Sequence, residues 1–315
     1  LGFRLPFFLI FALPFKTPFE TPTDSFVLKT NFMPTTNELK KIASQVRRDI
    51  IRQTNLAASG HPGGSLGCTE FFTALYFEIM DHDPSFNMEA QGEDMFFLSN
   101  GHISPVWYSI LARSGYFPVE ELKTFRKINS RLQGHPATHE GLPGVRVASG
   151  SLGQGLSVAI GGALAKKLNK DDKLVYVLTG DGELQEGQIW EAALFAPHHK
   201  VDNLIVTVDW NGQQIDGPTR EVMSLGDLPA KFEAFGWEVM QLENGNDMQL
   251  VVDTLKAAKA KTGQGKPIVI LMKTDMGYGV DFMVGTHKWH GKAPDDEQTK
   301  IALAQLEETL GDFPV

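Results

Sequence analysis

Apolar residues recur every three to four positions from Leu39 to Ala58, and again from Thr69 to Met80, with polar residues between them. That period predicts two amphipathic helices. Val106–Arg113 and Val119–Lys127 repeat it, whereas Met95–Leu98 is an unbroken apolar run that ends in the polar turn SNGH and reads as a short strand. From Gly134 to Gly155 turn residues are too frequent for any regular element, and a loop of that length usually serves a site. A helix rich in small residues is expected over Gly155–Leu168. Strand Leu174–Thr179, helix Gln188–His198, strand Leu204–Asp209, helix Leu228–Phe235, strand Trp237–Leu242, helix Gln249–Lys261 and strand Pro267–Lys273 are expected to follow. The strands are continuous apolar runs, so both of their faces need cover. Strand and helix in alternation therefore predict an α/β fold, a mostly parallel sheet with helices on both faces. Right-handed crossovers would bring the C-terminal strand ends to one edge, where Gly180–Gly182, Trp210–Gly212 and the loop after Lys273 should converge.

With 315 residues, 42% of them hydrophobic, the chain can bury a substantial core. No repeat, low-complexity tract or linker divides it, so one binding domain is expected over 33–293, with a capped closing helix in 294–315. A net charge of −9 argues against nucleic acid as a partner. The single cysteine, Cys68, allows no internal disulfide and fits a reducing compartment. Its apolar neighbours suggest a buried structural thiol. Residues 1–32 resemble a signal peptide superficially, but prolines interrupt the apolar run, no small-x-small cleavage site follows, and the run is too short to span a membrane. The expectation is a misassigned start or a disordered extension, with the biological start at Met33 and no membrane partner.

The candidate chemistry starts at Gly180-Asp181-Gly182. An acidic residue in a glycine turn after one strand, with Asn211 after the next, can hold a divalent cation against a diphosphate through hard oxygen ligands. Residues 183 to 209, 27 in all, separate Gly180-Asp181-Gly182 from the Trp210-Asn211 pair. Alone, each is an ordinary turn residue; the pairing on adjacent strands is what points to a site. His61, His102, His135 and His287 each lie in a rigid turn with glycine or proline close by. One such histidine reads as a local loop bond, but four suggest groups that bind hydroxyls and phosphate and relay protons near neutral pH. Zinc is disfavoured, because neither a cysteine partner nor HExxH spacing occurs.

The GDG-to-Asn segment is similar to the thiamine diphosphate motif, with Trp210-Asn211 where two asparagines are usual. From about Leu39 to Gly291 the chain resembles the transketolases, on SGHPG, LSNGH, GHP, GSLGQG, GDGELQEG, DWNGQQIDG and GTHKWHG in that order. The resemblance implies Mg²⁺, with Ca²⁺ or Mn²⁺ able to substitute, held by Asp181, Asn211 and the backbone carbonyl of Gln213. It further implies thiamine diphosphate on Gly180, Gly182, His102, His287 and the Gly150-Ser151-Leu152 turn, and a sugar donor on His61 and His135. Glu186 and Glu191 match glutamates that join the cofactor sites across a subunit interface.

Full-length transketolases continue into a pyrimidine-binding domain, and no carboxylate here matches its cofactor-activating glutamate. The resemblance therefore implies a split enzyme whose second, pyrimidine-half subunit completes the site, as a heterotetramer of two chains of each kind. Its expected reaction is ketol transfer between sugar phosphates in the cytoplasmic pentose phosphate pathway. The alternatives are another thiamine enzyme, such as a 1-deoxyxylulose-phosphate synthase, a dehydrogenase α-subunit or a transketolase for an unusual sugar, and a non-catalytic cofactor-binding subunit.

Overall fold

The computed structural model describes residues 34–315; the expectation for residues 1–32, and for the start at Met33, lies outside them. Thr35 opens the first helix, α1 (Thr36–Leu56), with a capping box to Glu38 that satisfies two of the free amides of its first turn. Next come α2 (Pro62–Gly67) and α3 (Thr69–Ala74), and α3 passes directly into a π-helical turn over Leu75–Ile79. The single α-helix expected over Thr69–Met80 is therefore two segments. Helix α2 departs from expectation, because PGGSLG has poor helix propensity. Its glycines serve packing instead. A β-carbon on Gly63 would stand 2.8 Å from the Trp289 carbonyl oxygen, and one on Gly67 would stand 3.0 Å from that of Asp275.

Strand β1 (Met95–Leu98) and helix α4 (Ser104–Arg113) match expectation. Val119–Lys127 does not form an α-helix: a 3₁₀ turn covers Val119–Thr124, and Phe125 (ψ 126°) and Arg126 (φ +56°) then turn the chain away. Helix α5 (Gly155–Leu168), strand β2 (Val175–Gly180), helix α6 (Gly187–His198) and strand β3 (Leu204–Trp210) follow. A two-residue ribbon, β4 (Gln213–Gln214) with β5 (Gly217–Pro218), and the short α7 (Thr219–Val222) fill the next connection. The chain then forms α8 (Leu228–Phe235), β6 (Glu238–Leu242), α9 (Met248–Ala260), β7 (Ile268–Lys273) and α10 (Asp296–Gln305).

Five strands form one sheet in the order β1-β2-β3-β7-β6, every neighbouring pair parallel. Alternate strand residues feed two cores. Val175, Val177, Val206, Val208, Val269 and Leu271 pack under α5, α6 and α8 on one face. Tyr176, Leu178, Ile205, Ile268, Ile270 and Met272 pack under α1, α3, α4 and α9 on the other. The order explains why α9 changes face. Connections from β1 through β3 to β6 advance across the sheet, whereas the connection from β6 to β7 steps back, and a right-handed crossover in that direction must use the opposite face. It also brings the loops after β3 and β7 together, opening a crevice at the C-terminal edge.

The closing helix is shorter than the segment 294–315. Asp295 and Gln298 form its capping box, but Leu306 is already extended. The remaining residues are tied to α1 instead: Arg48 Nη2 lies 2.7 Å from Asp312 Oδ2, Gln45 Oε1 accepts the amides of Thr309 and Leu310 at 3.0 Å each, and Phe313 is buried. Among the described residues no helix is long and apolar enough to cross a membrane.

Candidate active site

Three adjacent parallel strands deliver the site. His102 follows β1, Asp181 follows β2 and Asn211 follows β3, so the sheet edge gathers residues more than a hundred positions apart. Asp181 is 1% exposed. Its Oδ1 accepts the Gly182 amide at 2.8 Å and its Oδ2 the Gly212 amide at 2.6 Å, which ties the two motif turns together. Asn211 donates from Nδ2 to Asp209 Oδ2 at 2.7 Å and accepts the Gln213 amide on Oδ1 at 2.8 Å, so the orientation of its amide is fixed. Thr274, in the loop after β7, donates its hydroxyl to Asp209 Oδ1. The expected convergence of the Gly180–Gly182, Trp210–Gly212 and post-Lys273 segments is thus present.

The electrostatics of this edge favour a cation. Burial, and then the neighbouring Asp209, push the Asp181 carboxyl up to about 8. Burial also raises Asp209 and Glu183. Among the described residues, the groups that act most strongly on these three carboxylates are backbone amides, hydroxyls, an amide, a thiol and other carboxylates. Buried carboxylates without a counter-charge are costly. A hard divalent ion held by Asp181 and Asn211 would offset that cost, so the oxygen donors present are of the kind that Mg²⁺ takes. Beside them a cavity of about 630 Å³ opens at the ends of β3, β6 and β7, walled in part by Trp210, Asn211, Lys273 and Thr274.

The second component is a cluster of imidazoles. Ring centroids of His61 lie 5.1 Å from His102, 6.3 Å from His135 and 5.6 Å from His290, and His102 stacks on His290 at 4.9 Å. The fourth member is therefore His290 and not His287, which sits at the start of the 3₁₀ turn His287–Trp289. Trp289 anchors this turn by burying its ring and donating Nε1 to the Phe282 carbonyl at 2.9 Å, and His290, the next residue, enters the cluster. Gly291 then passes so close that a β-carbon would stand 3.4 Å from His61 Nε2. The signal for His290 was present in the sequence as a bulky apolar anchor directly before HG, but the two histidines of GTHKWHG cannot be ranked by composition.

All four cluster imidazoles are held neutral near pH 7. Burial lowers His61 to about 3, with His290, Arg126 and His135 contributing. Burial and His290 lower His102, burial and Arg126 lower His135, and burial and His287 lower His290. Neutral rings can both donate and accept, as proton relay between hydroxyls requires. His61 Nδ1 and His290 Nδ1 are buried with no hydrogen-bond partner among the described residues. Because the folded value of His61 lies below 6.5, the unfolded chain binds more protons between about pH 3 and 6.5, and the stability contributed by this residue is lost as pH falls through that window. Relative to wild type, His61→Gln should gain about 1–2 kcal/mol between pH 7 and pH 5 in denaturant titrations; parallel curves for the two proteins would refute it.

Gly150, at φ +119°, lies against His135, where a β-carbon would stand 2.7 Å from the ring. Ser151 and Leu152 continue that turn and are exposed, as are Glu186, the N-cap of α6, and Glu191 one turn into it.

Residues 39–311 match the family described as transketolase, thiamine diphosphate binding domain. An apulose-4-phosphate transketolase subunit of Actinobacillus succinogenes is 41% identical over 273 residues, 86% of this chain and 97% of that protein. A 6-deoxy-6-sulfo-D-fructose transketolase subunit of a Clostridium species is 39% identical, covering 86% of this chain and 96% of that protein. Among solved structures, transketolase from Leishmania mexicana superposes with a TM-score of 0.81 at 32% identity, over 90% of this chain but 43% of that one. The chain belongs to the transketolase family, corresponding to its N-terminal, thiamine diphosphate binding part.

Proposed function

We propose that the chain is the diphosphate-binding subunit of a two-chain transketolase that moves a two-carbon ketol unit from a ketose phosphate to an aldose phosphate. The observation that carries this reading is the placement, on one sheet edge, of the oxygen set Asp181, Asn211 and Gln213 beside the neutral cluster His61, His102, His135 and His290. Asp181, Asn211 and the Gln213 carbonyl would hold Mg²⁺, with Ca²⁺ or Mn²⁺ as substitutes. Gly180, Gly182, His102 and the Gly150–Leu152 turn would hold the diphosphate. Bound thiamine diphosphate supplies the carbon nucleophile and electron sink that cleavage of a ketose C2–C3 bond requires. His61 and His135 would orient donor hydroxyls, and His290 would exchange protons with them through its unpartnered Nδ1. His287, on the adjoining turn, lowers His290 and would act from outside the cluster.

Glu186 and Glu191 are proposed to meet a neighbouring subunit from their exposed positions, within a heterotetramer that includes the pyrimidine half. The subunit-length similarity to proteins named for apulose 4-phosphate and a sulfonated fructose supports a second reading of the substrate, an unusual sugar rather than a pentose phosphate. Work on phosphorylated sugars, with one buried cysteine, suits a cytoplasmic setting. Coupled assays with xylulose 5-phosphate, apulose 4-phosphate and the sulfonated fructose as donors, with the partner subunit present, distinguish the readings. Turnover of a single donor class assigns the substrate, and turnover of none rejects ketol transfer for all three.

A further inference from the structure

Glu183 belongs neither to the oxygen set nor to the imidazole cluster, yet three loops of the site meet on its carboxylate. Oε1 accepts the hydroxyl of Ser99 and the backbone amide of Gly153, the latter at 2.9 Å, and Oε2 accepts the amide of Gly180 at 3.1 Å. Ser99 begins the turn that carries His102, Gly153 closes the Gly150–Leu152 turn, and Gly180 directly precedes Asp181. The first two donors lie 84 and 30 residues away in sequence, so these bonds are tertiary. The same loops also touch backbone to backbone. A β-carbon on Gly155 would stand 2.6 Å from Ser99 Cα, and one on Gly101 would stand 2.7 Å from the Gly150 nitrogen.

A carboxylate that is 2% exposed and bonded only to neutral donors is expensive to bury. For stability alone an apolar side chain of similar volume would serve as well or better. What the carboxylate adds is four lone-pair directions, enough to hold two backbone amides and a hydroxyl from three separate loops at once. We propose that Glu183 is a positioning residue that locks the Ser99–His102, Gly150–Gly153 and Gly180–Gly182 loops into one arrangement, so that the diphosphate cradle exists before its ligand arrives. The identity of that ligand rests on the cofactor reading above, whereas the coupling of the loops does not.

The test uses the full chain, unloaded and with magnesium pyrophosphate as the probe. In Glu183→Gln one carboxylate oxygen becomes an NH₂ group and can no longer accept an amide. Amide exchange by mass spectrometry should rise about tenfold or more in all three loops together, while β3 and β7 keep their protection. Calorimetry should register magnesium pyrophosphate binding about 10–100-fold weaker than in wild type. Ser99→Ala, which removes one hydroxyl, should move the same three loops by a smaller amount and carries the test if Glu183→Gln does not fold. Exchange that rises only around Gly180–Gln185, or a probe affinity within twofold of wild type, overturns the proposal. If wild type does not bind the probe while exchange in the variants still rises in all three loops, the coupling stands and the cofactor reading fails.

Discussion

Asp181→Asn is expected to weaken magnesium-dependent binding of thiamine diphosphate by at least about 100-fold, a larger loss than typically follows removal of an outer-shell partner, because it would remove the charged member of the proposed ligand set. In the unloaded chain the same change removes one acceptor, from Gly182 or from Gly212, and it also removes a pH-dependent cost. Asp181 titrates near 8 when folded against an ordinary 3.8, so between those values the folded chain holds the extra proton, and the stability contributed by this residue falls as pH rises. Asparagine has no such dependence. The unloaded variant should therefore gain on wild type between pH 6 and pH 8 in thermal melts, while losing the upward shift that Mg²⁺ with thiamine diphosphate gives wild type. Such a trade of stability for a cation site is common where function requires buried charge. A variant whose stability relative to wild type is the same at pH 6 and pH 8, and that still binds the cofactor normally, would contradict both parts.

His290→Ala is expected to lower ketol transfer about 10²- to 10⁴-fold with a small effect on cofactor affinity, as removal of a positioned proton-transfer group does. His287→Ala should cost less than about tenfold. The contrast follows from position: His290 contacts His61 and His102 and presents an unpartnered Nδ1, whereas His287 occupies the preceding turn. Steady-state rates with the partner subunit present measure both. Equal losses at the two positions would mean that the whole turn, rather than one imidazole, is what matters.

Much of this arrangement was legible in the sequence because it rests on short-range chemistry. The five strands of the main sheet are short, largely apolar runs, bounded within one residue of their observed ends, and α5 and α8 match their expected limits. Asp181 and Asn211 stood out through their pairing after two adjacent apolar strands, since each alone reads as an ordinary turn residue. What escaped depends on contacts that sequence spacing does not encode. Helix α2 forms against propensity because its glycines admit the backbone of the Asp275 and Trp289 loops. Val119–Lys127 has helical periodicity, but Phe125 and Arg126 break it to bring the guanidinium over Gly134 and onto Ser59. That His290 rather than His287 enters the cluster follows from burial of Trp289, and Glu183 does not stand out among the three acidic residues of GDGELQEG because only the folded chain brings Ser99 and Gly153 to it. The strand-edge motif locates the site, whereas tertiary packing decides which side chains enter it.

The most direct measurement is ketol transfer from a panel of ketose phosphates to ribose 5-phosphate, with Mg²⁺ and thiamine diphosphate, for this chain alone and mixed with its pyrimidine-half subunit. Turnover is predicted only in the mixture and only with both cofactors. Turnover by the chain alone, or turnover in the mixture that survives removal of thiamine diphosphate and chelation of the metal, would contradict the two-chain, metal-dependent site.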